Sequence, residues 1–195
     1  MLSLDELLQC GLSRETVRRR VANGRLHPMH RGVYAVGHAA VPLEGRFLAA
    51  VKACGPDAVL SHFSAATLLG LVKWDERHAE VTVRGPGTRR HAGVRVHRTH
   101  FLEPRDVIRR EGMQLTSPAR TLLDLAATFE YRALRRAARQ AQSLKLVGVR
   151  QLAELLTRTG RGAARATWRG SSRPVRPRRA ASWRISCSIS SSGPA

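Results

Sequence analysis

The sequence predicts an α+β protein: an N-terminal helical unit with a small ribbon, a mixed α/β unit, and a disordered tail. Three observations lead there. Residues 3–24 carry helical spacing on both sides of a glycine turn. Residues 80–97 and 107–115 change to the alternating spacing of strands. Residues 158–195 hold nine Arg and eight Ser but no Asp, Glu or Leu, too little apolar matter to order a segment.

The elements follow in order. Ser3 caps a short helix over 3–9, with Glu6 three residues on and Leu4, Leu7 and Leu8 on one face. Gly11 breaks it. Ser13 caps a second helix, 14–22, whose Val17 and Val21 face inward, and Asn23-Gly24 ends it. Helix, tight turn and helix make a helix-turn-helix. Residues 25–37 then read as a two-stranded ribbon turning at Arg31-Gly32, which is a wing. After a connector at 38–42, a helix spans 43–54 and stops at Gly55-Pro56. Ala58-Val59-Leu60 is extended, and Ser61 caps a helix reaching Leu69. Residues 80–83 and 94–97 are expected to form a hairpin around Gly85-Pro86-Gly87 and Gly93. A second pair, 107–108 and 113–115, turns at Glu111-Gly112. Ser117-Pro118 opens a helix over 118–128, and helices at 131–146 and 148–157 follow. The expected domains are 1–37, 38–157 and the tail 158–195.

Charge bounds the function. The formal net charge is +20, of which the tail supplies +9, so residues 1–157 still carry +11. Such a surface attracts nucleic acid. The three cysteines have no paired spacing, and no run of about 18 apolar residues exists. The N-terminus has no signal-peptide pattern. The expected location is the cytoplasm, without a membrane.

The candidate binding residues cluster. Arg14, Arg18, Arg19 and Arg20 spread over the exposed arc of the second helix, opposite Val17 and Val21. Guanidinium groups there suit phosphates and guanine edges in the major groove. Arg25, His27, His30 and Arg31 extend the basic surface into the ribbon, where backbone or minor-groove contact is expected. Double-stranded DNA is the implied partner. Other candidates are read as structural: His91, His97 and His100 as surface histidines near a hairpin with Asp106 downstream, Ser61-His62 as a helix cap, Arg120 and Asp124 as an ion pair. No catalytic residue, metal ligand or cofactor is expected.

Three segments together, GLSRETVRRRVANGRLHPMHRGVYAVGH, AAVKACGPDAVLSHFSAATLLGL and TSPARTLLDLA, give residues 2–157 a resemblance to the AbiEi-type antitoxin family, linked to type IV toxin–antitoxin systems. The resemblance implies a winged helix-turn-helix followed by an α/β domain, and a non-enzymatic transcriptional regulator that represses by operator binding. It also implies a cognate toxin or a second copy of the chain as partner. Longer relatives carry a third domain similar to very-short-patch repair endonucleases, and relatives usually have a further helix before the point where this sequence begins, at Leu2-Ser3-Leu4. The alternative is therefore a truncated remnant of a nuclease-like protein. Residues 182–194 support it: one permitted back-translation, read in a shifted frame, gives ELEDLLLDLLERA, an acidic leucine-rich helix.

Overall fold

The computed structural model describes residues 1–75, 78–86 and 90–166. The architecture is mixed α+β, with two sheets. The first sheet is three-stranded and holds the N-terminal unit. Strand β1 (Leu2–Ser3) leads into helix α1 (Leu4–Gln9) and α2 (Arg14–Ala22), then β2 (Leu26–His30) and β3 (Val33–Val36). The spatial order is β1-β3-β2, both pairings antiparallel. Pro28 lies on β2, an edge strand, where its missing N–H costs the ladder least. Strand β1 was not expected; two residues are too short to show a period.

Both helices end as their glycines dictate. After α1, Gly11 takes φ +82, its N–H reaches the Leu8 carbonyl, and the Leu12 N–H reaches Leu7. After α2, Gly24 takes φ +66, its N–H reaches Val21, and the Arg25 N–H reaches Arg20. These are paired Schellman bonds, which only a residue at ease with positive φ completes without strain. Leu7, Val17 and Leu26 form the buried core of this unit, with Leu2, Leu4, Leu12, Val21 and Tyr34 packed around them.

The second sheet runs β6-β5-β4-β8-β7. Its strands are β4 (Val59–Leu60), β5 (Ala79–Arg84), β6 (Val94–Thr99), β7 (Val107–Arg110) and β8 (Met113–Thr116). β7 and β8 form the expected antiparallel pair, turning at Glu111 and Gly112, both at positive φ. The expected hairpin of β5 and β6 is corrected: the two pair in parallel, from Ala79 beside Val94 to Arg84 beside Thr99. Alternating apolar residues identify strands but not their direction. The intervening nine residues, 85–93, are long enough to carry the chain back along a six-residue strand at about 3.3 Å per residue.

Helix α3 (Leu43–Cys54) lies between the two sheets and touches strands of both. Its Glu6 partner fixes one end: Lys52 Nζ donates to Glu6 Oε2 at 2.6 Å. Helices α4 (His62–Leu68), α5 (Pro118–Ala126), α6 (Tyr131–Ser143) and α7 (Val149–Ala166) complete the second unit. Phe47, Leu60, Leu115 and Leu125 are fully buried at its centre. α7 continues past Thr157, the expected end of the body. Arg158 reaches back, its Nη2 donating to Asp106 Oδ1 at 2.7 Å and its Nη1 lying 2.8 Å from Glu103. The remainder of the expected tail, 167–195, lies outside the described residues. Among the described residues, no helix is long and apolar enough to cross a membrane.

Candidate nucleic-acid interface

The α2 face is built from its cap. Ser13 Oγ accepts the Thr16 N–H at 3.1 Å, which starts the helix where the turn from α1 delivers it. That start fixes the phase. Val17 falls inward and is 2% exposed, and Arg14, Arg18, Arg19 and Arg20 fall outward, all exposed. Arg14 and Arg18 stand one turn apart, about 6 Å along the axis. Glu15 is the only acid on the helix, and it lies 3.5 Å from Arg18 with both side chains about four-fifths exposed. Such a pair is worth a few tenths of a kcal/mol at most and gives way readily to a phosphate. No carboxylate among the described residues holds Arg14, Arg19 or Arg20.

The ribbon divides the remaining candidates. Arg25, just past the helix, is exposed, and so is Arg31 in the turn. The turn is anchored: the Leu4 N–H donates to the Gly32 carbonyl at 2.7 Å, and Gly32 adopts φ +77. His27 is half-buried, with Nε2 3.4 Å from the Gly37 carbonyl. His30 turns the other way, towards the second sheet, where its ring meets the His91–Gly93 segment. Burial and then the neighbouring His91 lower its pKa, against a backbone hydrogen bond at Ala92. The arginines thus share the exposed surface of the first unit, and His30 belongs to its joint with the second. Met29 is the extra residue of a bulge between Pro28 and His30, and that irregularity re-aims His30. The sequence held no signal for the bulge.

A second polar group is fully buried in the second unit, and two expectations are corrected there. Ser61 occupies the N-cap position of α4 but makes no side-chain capping bond. Its Oγ instead receives the Thr82 hydroxyl at 2.7 Å and contacts His62 Nδ1 at 3.0 Å. His97 is not a surface histidine: it is 6% exposed and stacks on His62 with ring centroids 3.6 Å apart. Asp106 is likewise buried, between Arg120 and Arg158. Burial raises the Glu80 carboxyl, but His97, then His62 and the Phe63 N–H, more than offset this and hold it at about 2. The expected Arg120–Asp124 pair is present, with Nε donating to Oδ1 at 2.9 Å. Period-two spacing buries alternate residues of a strand, and it placed His97 on a face whose neighbours the sequence did not reveal.

No curated protein matches the chain. Residues 1–37, the unit that carries α1, α2 and the ribbon, match the family model described as "Transcriptional regulator, AbiEi antitoxin".

Proposed function

We propose that the chain is an antitoxin-like transcriptional regulator that represses by binding operator DNA through a winged helix-turn-helix, residues 1–37. The family match of that segment supports a regulator. The observation that carries the DNA reading is α2 itself: four exposed arginines in seven residues, phased by one buried valine, with a single weakly held acid between them. Arg18 and Arg19 occupy the middle of the arc and read base edges. Arg14, Arg20, Arg25 and Arg31 neutralise phosphates, with His27 at the margin. The second unit, residues 38–157 with the rest of α7, supports a cognate toxin contact or a second copy of the chain. The protein acts in the cytoplasm and performs no catalysis.

The test is selection of bound duplexes from a random-sequence pool, followed by titration against salt. Four phosphate contacts, by Arg14, Arg20, Arg25 and Arg31, give a log–log slope of about −3 to −4. A slope near zero from a folded protein sinks the proposal.

A further inference from the structure

His62, Glu80 and His97 each bring one donor atom to the same buried place, and these atoms lie within 4.8 Å of one another. They come from three elements: the first residue of α4, β5 and β6. They are 1%, 4% and 6% exposed.

Three features separate this group from an ordinary buried hydrogen-bond network. His97 Nε2 is buried with no hydrogen-bond partner, at 3.7 Å from Glu80 Oε2, which is too long for a hydrogen bond. His62 sits at φ +50 in a buried turn from strand to helix, a conformation that a non-glycine residue holds only when its surroundings impose it. The donors are also oriented from behind. Ser61 contacts His62 Nδ1 and is itself held by Thr82, and the Phe63 N–H donates to Glu80 at 3.1 Å. Such second contacts around histidine and carboxylate ligands fix the ring and the oxygen for a metal. The other carboxylate oxygen, Glu80 Oε1, accepts from Arg95 Nη1 at 3.3 Å, from a guanidinium side chain 60% exposed to water.

Two imidazoles and one carboxylate match borderline divalent ions such as zinc and cobalt. Calcium and magnesium need more oxygen donors than one carboxylate supplies. We propose that His62, Glu80 and His97 bind one zinc-class divalent ion that ties α4 to β5 and β6. The two rings now stack with an interplanar angle of 12°. Their lone pairs lie in the ring planes, so an ion held by both draws one ring out of the stack. The donors then close to the spacing set by bonds of about 2.0–2.2 Å. Three protein donors leave the fourth tetrahedral position of such an ion to a water.

The experiment uses the full chain with any histidine tag removed, stripped by a chelator and titrated with Co²⁺. The expected result is visible ligand-field absorption that saturates at one cobalt per chain and is displaced by Zn²⁺, with a higher Tm in zinc than in chelator. X-ray absorption of the zinc-loaded parent should show two imidazoles and oxygen around the ion. His97→Gln and Glu80→Gln should abolish saturable binding, and His38→Gln, at an exposed site, should retain it. A folded parent without cobalt absorption, or a zinc shell of water or sulfur, overturns the proposal, and so does undiminished binding in a folded His97→Gln protein.

Discussion

Arg18 and Arg31 are both exposed arginines, yet their supports differ, and so should their loss. Arg18 rides on a helix whose phase is fixed by the Ser13 cap and by Val17 beneath it. Arg31 rides on a two-residue turn tied to α1 through Gly32. Arg18→Ala or Arg19→Ala is expected to cost specific binding about 1–3 kcal/mol and to relax preference at one base position. Arg31→Ala should weaken all duplexes alike and make the salt slope shallower by about one. Titrations on selected and scrambled duplexes distinguish the two patterns; if both helix variants bind every duplex like the parent, α2 does not read DNA. Val17→Ala, at a position 2% exposed, should instead lower stability by about 1–3 kcal/mol, measured by denaturant unfolding. Gly24→Ala forces a Cβ into φ +66 and should cost about 1 kcal/mol in the same assay, with no atom of the fold in its way.

Elements were legible where their ends are written chemically. α2 occupies 14–22, as Ser13 and Asn23-Gly24 dictate, and α3 occupies 43–54, between Pro42 and Gly55. The Ser3–Glu6 capping box forms as its spacing predicts, with Oε2 accepting the Ser3 N–H at 2.7 Å. What escaped was pairing between distant segments. Nothing local distinguishes a parallel β5–β6 from a hairpin, and nothing near Arg158 announces Asp106, which lies 52 residues earlier. The Glu6–Lys52 contact between α1 and α3 was hidden for the same reason. The Lys52 hydrogen bond, then the Ser3 N–H, lower the Glu6 pKa, so this contact stabilises the fold above the ordinary carboxylate range and is lost as pH falls through the lowered value. Glu6 is 40% exposed, which limits the gain to about 1 kcal/mol. Lys52→Met should remove that part of the acid sensitivity; unchanged acid melts would show that the pair adds nothing.

At the scale of the molecule, the sequence foretold two sheets' worth of strands, and the helix shared between them is visible only in the fold. The candidate DNA face was legible because it is a single helix with a regular period. The buried His62–Glu80–His97 group was not, because it needs three elements to converge. Where the body ends also changed. A chain stopping at Ala166 keeps every contact described for α7, and its Tm should match the full chain. One stopping at Thr157 loses the hydrogen bond from Arg158 to the buried Asp106 carboxylate and should be less stable by about 1–3 kcal/mol, since charged hydrogen bonds of this kind contribute that much. Equal melts for the two truncations would mean that Arg158 contributes nothing.

Helix α3 has a mechanical consequence. Its twelve residues make a rod of about 18 Å that bears on β1, β2 and β3 and also on β4, β5 and β8. A body that presses on the second sheet therefore has a lever under the first. If α2 reads a DNA groove as proposed, a rotation of a few degrees about that rod would swing it out of register with no ligand touching an arginine. A partner seated on the second unit would then loosen or tighten that proposed grip from a distance.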